Sequence, residues 1–239
     1  MRAITLMLKI IWSPGNAFED IRDSKIGPWI PLLILIVASL TFTTFFLSVV
    51  DPVDVAIRQI QQSPQGGNMS QEAIDDLRRT LTDSNFLRIL AYVSSVGFLP
   101  IWILVISGIY FGIFLVLGSR ATFMQFWSVT AFSFTPSLVG TAAGLVAVLT
   151  TPPAALDVGR IAVLTAATFM PLESGETAGF LYTFLQTLSV PTLWTLALLV
   201  IGYGVVASKK IGAGVRTIAV CLPWLLTVAA RVGLVWIFG

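Results

Sequence analysis

Residues 31–50 read PLLILIVASLTFTTFFLSVV, twenty residues without a charge, preceded by Lys25 and ended by Asp51-Pro52. At 1.5 Å per residue a helix of this length covers about 30 Å, the thickness of a bilayer's hydrocarbon core. Working outward, four more apolar stretches of similar or greater length follow, at about 90–117, 128–150, 180–207 and 217–238. The composition agrees: 56% of the 239 residues are hydrophobic and 11% charged, with a mean hydropathy of +0.90. A soluble domain carries about 25% charge, so 26 charged residues fall well short of what a water-facing surface of this size requires. The predicted fold class is an all-α polytopic membrane protein with five transmembrane helices and interfacial amphipathic helices.

The chain divides into a segment 1–30, expected to be cytosolic or interfacial, and a membrane domain 31–239. In the first, 4–12 is apolar but short and interrupted by Lys9, and is expected not to be a cleaved signal. Ser13 suits a helix N-cap and Pro14 a first helical position. The helix they open would place Ala17, Phe18 and Ile21 on one side and Glu19, Asp20, Arg22 and Asp23 on the others, as in a segment lying on a membrane. Gly27-Pro28 ends it, and Trp29 is an interfacial aromatic.

The long polar connection 51–89 holds two amphipathic helices. One opens at Asp51-Pro52 with Val53, Ala56, Ile57 and Ile60 apolar, the other near Ser70 with Ile74, Leu77 and Leu81, both at helical spacing. Ser63-Pro64-Gln65-Gly66-Gly67-Asn68 separates them as a flexible break. In the loop 151–179, the stretch 161–170 is too short to span and is expected to form a re-entrant or surface helix.

Counting Lys and Arg by side sets the orientation. Arg2, Lys9, Arg22, Lys25, Arg120, Lys209, Lys210 and Arg216 fall on one side, and Arg58, Arg78, Arg79, Arg88 and Arg160 on the other. Asp and Glu divide three to nine over the same sides, leaving net charges of +5 and −4. The N-terminus is therefore expected inside and the C-terminus outside a cytoplasmic membrane. A net charge of +2 points to no nucleic-acid partner.

The sequence contains no His and a single cysteine, Cys221. This removes disulfide frameworks, His/Cys zinc sites and His-activated nucleophiles. No phosphate-binding Gly-rich loop and no paired intramembrane aspartates are present. No reaction and no cofactor are expected. Arg231 is the one ionisable side chain well inside a predicted span, and such residues are costly enough to be kept for a purpose. It is expected either to snorkel outward or to pair with Asp51, Asp157, Glu173 or Glu176. Gln186, whose amide is hard to satisfy locally, is expected to face the bundle interior, so Arg231 and Gln186 form the candidate intramembrane polar site.

Pro100, Pro136, Pro191 and Pro223 fall one in each of the last four spans and are expected to kink them, either shaping the bundle or opening a ligand site. The pairs Gly108…Gly112 and Gly140…Gly144 permit close helix approach, within the bundle or across a homodimer. Lys209, Lys210 and Arg216 are candidate contacts for anionic lipid headgroups.

Three stretches carry a family resemblance. Pro14-Gly15-Asn16-Ala17-Phe18-Glu19-Asp20-Ile21 with Pro28-Trp29-Ile30-Pro31-Leu32 is the first. Leu117-Gly118-Ser119-Arg120-Ala121-Thr122-Phe123-Met124-Gln125, leading through Ala131-Phe132 to Pro136, is the second, and Leu193-Trp194 with Gly202 the third. In this order and spacing they resemble bacterial members of the Yip family, five-span membrane proteins whose eukaryotic relatives are named for interacting with Ypt/Rab GTPases. The Asp-Leu-Tyr-Gly-Pro type motif of the eukaryotic members is missing, so no GTPase partner is carried over. The resemblance implies a non-enzymatic protein that organises membrane partners or lipids. A small transporter, channel or lipid-moving protein working through the Pro-kinked helices is the alternative.

Overall fold

The computed structural model describes residues 2–62, 69–83, 85–151, 164–170, 180–207 and 210–238. Its helices are α1 Arg2–Trp12, α2 Pro14–Asp23, α3 Trp29–Val49, α4 Pro52–Gln62, α5 Gln71–Asp83 and α6 Phe86–Val116. They continue as α7 Phe123–Ser133, α8 Ser137–Thr150, α9 Phe180–Thr187, α10 Val190–Val206 and α11 Ala213–Phe238. Among the described residues, four stretches are long and apolar enough to cross a membrane: α3, α6, α7 with α8, and the Ala213–Gly233 part of α11. The expected span at 180–207 is instead two helices, and α10, with 17 residues, is a shorter apolar helix.

The breaks have local causes. Pro136 stands at the start of α8 after a turn at Phe134-Thr135, so it divides the third span into α7 and α8 instead of bending one helix. Between α9 and α10, Ser189 caps α10 by accepting from the Thr192 N–H at 3.1 Å, and Pro191 falls in the first turn, where its missing N–H costs no helical bond. The backbone freed at this break is taken up by 164–170: Ala166 N–H donates to Leu188 O at 3.0 Å and Val190 N–H to Leu164 O at 3.1 Å. Such pairing satisfies backbone groups that a helix break would otherwise leave open. Of the helix expected over 161–170, the described residues form a single 3-10 turn, Ala166–Phe169. Of the four prolines expected to kink spans, Pro100 and Pro223 lie inside helices.

The turn from α6 to α7 shows why its residues are those they are. Gly118 adopts φ +85° past the end of α6, and Ser119 N–H reaches back to Phe114 O at 2.9 Å, closing the helix with a left-handed residue. Four residues on, Thr122 and Gln125 form a reciprocal capping box that opens α7.

The main core gathers around Tyr203, Phe18, Phe114, Phe126 and Leu198, contributed by α2, α6, α7 and α10. A second cluster of Leu32, Leu35, Ile103 and Ala131 joins α3 to α6 and α7. α4 and α5 form a satellite over the start of α6, with Val53, Ile57 and Ile74 buried and Arg78 bonded to Asp54. Asp51 and Ser70 cap these two helices at the positions the sequence indicates.

Candidate functional site

The two ends of α10 differ in character. At its C-terminal end α2 docks, and the apolar face expected of that helix is spent inside the protein: Ala17, Phe18 and Ile21 are buried against the bundle. Gly202 makes this fit, because a Cβ there would stand 2.6 Å from Val129 and 2.9 Å from the Phe18 ring. Ser13 precedes α2 as expected, but its hydroxyl accepts from Asn16 Nδ2 at 3.0 Å and makes no cap bond to the backbone. Lys9 and Asp20, 2.6 Å apart, tie α1 to α2. Arg22 donates to Val205 O at 3.3 Å, and its 2.7 Å bond to Asp23 holds that carboxyl below its ordinary pKa. Deeper, Thr130 and Tyr203 share a 2.8 Å hydrogen bond, and Tyr110 donates to Val220 O at 2.8 Å, pinning α6 to α11. The rings of Tyr110, Phe114, Phe126 and Tyr203 pack within 5.5 Å of one another along the chain of contacts they form. This end is closed.

The other end is open. An apolar cavity of about 280 Å³ lies between α6, α10 and α11, lined by Trp102, Ile106 and Tyr110, by Pro191, Thr195 and Leu199, and by Pro223 and Trp224. A second cavity of about 280 Å³ adjoins it, lined by Gln186, Thr187, Thr192, Trp224, Thr227, Val228 and Arg231. Thr192, Trp224 and Thr227 border both. Arg231 Nη2 donates to Gln186 Oε1 at 3.2 Å. The two residues singled out from the sequence therefore meet, across α9 and α11. The partner described for Arg231 is an amide and not a carboxylate: Asp51 caps α4, while Asp157, Glu173 and Glu176 lie outside the described residues.

The other candidates separate. Pro191 and Pro223 line the apolar cavity; Pro100 and Pro136 do not. Arg216 is half-buried and lies so close to the α10 backbone that a Cβ at Gly204 would collide with its guanidinium, and its Nε is buried without a hydrogen-bond partner among the described residues. Lys210 is exposed, and Lys209 lies outside the described residues. A Cβ at Gly140 would stand 3.5 Å from Pro191, and Gly144 is buried, so this pair faces the bundle. Gly108 and Gly112 face open space instead.

Sequence reasoning missed α1 as a structural element. Ala3, Leu6, Met7 and Ile10 are buried in the main core, while Ile4, Leu8, Ile11 and Trp12 stand out from the opposite side. The spacing 3, 6, 7, 10 is the signal that could have found it.

A family model described as the Yip1 domain matches residues 8–234. No curated protein and no solved structure matches the chain.

Proposed function

The chain belongs to the Yip1 domain family, and from that premise we propose that it is a non-enzymatic protein of a bacterial cytoplasmic membrane that organises membrane partners or lipids. In this reading it crosses five times, with α9 and α10 together as the fourth crossing, the N-terminus in the cytosol and the C-terminus outside. The excess of Lys and Arg on the side of α1 and α2 supports that orientation.

The observation that carries the reading is α1. One face is locked into the core by Leu6, Met7 and Ile10, and the other presents Ile4, Leu8, Ile11 and Trp12, the last 70% exposed. A helix held rigidly and apolar on its outer side is built to engage an apolar surface, here the inner membrane interface or a partner lodged in it. The test is co-purification from native membranes in mild detergent, with protein and lipid both identified by mass spectrometry, for the wild type and for Ile4→Ser/Leu8→Ser. The expected result is a reproducible partner whose recovery falls at least severalfold in the variant. Equal recovery in both, or no protein partner, would contradict the organiser reading.

The second reading, lipid movement or transport past the helix break at Pro191 and the Pro223 turn of α11, is favoured by the adjoining cavities that reach Gln186 and Arg231. The aromatic seal at Tyr203 would then have to open for any passage.

A further inference from the structure

We infer that the joined cavities between α6, α10 and α11 bind one phospholipid molecule, its phosphodiester at Arg231 and an acyl chain in the apolar chamber. The inference rests on the lipid side of the proposed function and names the residues that would do the binding.

The first ground is the shape of the site. An apolar chamber of about 280 Å³ continues into a polar one of about 280 Å³ with Thr192, Trp224 and Thr227 as the shared border. Each chamber is near the lower end of about 300–1,000 Å³ for small-molecule sites, and together they are amphiphilic. A soluble polar ligand would leave the apolar half unfilled, and a hydrocarbon would leave Arg231 unmatched.

Access is the second. Trp102 and Ile109 line the apolar chamber and are 42% and 47% exposed, so it opens sideways between α6 and α11. That perimeter is apolar, and α6 is long enough to cross the membrane. The occupant therefore arrives from the hydrocarbon. At the inner end the Tyr110 bond to Val220 closes the groove.

Charge is the third. A guanidinium carries five N–H donors in a planar fork and binds phosphate bidentately. The Gln186 carbonyl oxygen accepts one hydrogen bond, at 3.2 Å, from Nη2 of the exposed Arg231 and draws that fork toward the polar chamber. Arg231 lies seven residues before Phe238, about 10 Å along the helix. The stretch of α11 long enough to cross the core, Ala213–Gly233, ends two residues past Arg231, which brings the guanidinium within snorkelling reach of the phosphate level.

The test uses the full chain, purified in mild detergent, stripped of loosely held lipid and then offered phosphatidylglycerol in mixed micelles, with bound lipid counted by native mass spectrometry. The wild type is expected to retain one phospholipid per chain. Arg231→Gln should lower retention at least tenfold, and Ile109→Trp, which narrows the side opening without entering the packed core, at least fivefold. Arg79→Gln, an exposed arginine of α5, should leave it unchanged. Thermal melting of each variant identifies any that fails to fold, and Arg231→Lys, expected to retain the lipid more weakly than the wild type, stands in for Arg231→Gln in that event. Unchanged retention in both groove variants would overturn the inference. So would displacement by inorganic phosphate, which would make this a free-anion site, or an adduct with the mass of a fatty acid. None of these outcomes bears on recovery of a protein partner through α1, so the two readings fail separately.

Discussion

Single residues set how closely α10 can be approached. Gly202 and Gly204 are two apart, and both accept a neighbour that a side chain would exclude, but the neighbours differ. At Gly202 the obstacle is the Phe18 ring and Val129, both fully buried and with nowhere to go. At Gly204 it is the tip of Arg216, which can swing away. Gly202→Ala should therefore cost about 1–3 kcal/mol by overpacking and loosen α2, whereas Gly204→Ala should cost little. Thermal melting in detergent checks the order, and equal losses would refute the packing described. This contrast was not legible in the sequence, where both glycines lie in one apolar run. Arg231 and Gln186 were legible as residues needing a partner, because an ion and an amide are expensive in a membrane. That they satisfy each other depends on where α9 packs against α11, which no local pattern encodes.

At the scale of elements, similar capping signals have different outcomes. Ser13 and Ser189 each precede a helix with proline in its first turn, but only Ser189 bonds the backbone, at Thr192. Ser189→Ala should cost about 1 kcal/mol and Ser13→Ala only a few tenths, measured as shifts in thermal midpoint. Comparable shifts would show that the cap does not hold the α9–α10 break. That break lay in view as Ser189-Val190-Pro191, a cap followed by a first-turn proline, yet the surrounding hydropathy is continuous and predicts one span. The amphipathic α4 and α5 were legible because their polar residues mark the outer face. α1 was passed over although Ala3, Leu6, Met7 and Ile10 stand at helical spacing, because apolar residues occupy its outer face as well.

On the scale of the whole molecule, the sequence composition requires a membrane and the family match places nearly the full chain in one domain. The number of crossings is where length alone stops deciding. α3, α6, the α7–α8 pair and α11 are each long enough, and everything then turns on whether α9 and α10 act together as one more. With five crossings the polar chamber of Arg231 opens on the face opposite α1 and α2, and the lipid groove and the α1 platform serve different leaflets. With four, Lys210 and the α4–α5 satellite would share a side. Cysteine accessibility separates the two cases directly. In a chain carrying Cys221→Ala, single cysteines at Gln71 and Lys210, both exposed, are treated in intact cells with a membrane-impermeant maleimide. The account predicts that Gln71→Cys labels at once and that Lys210→Cys labels only after the membrane is permeabilised. Labelling of both from outside would contradict it.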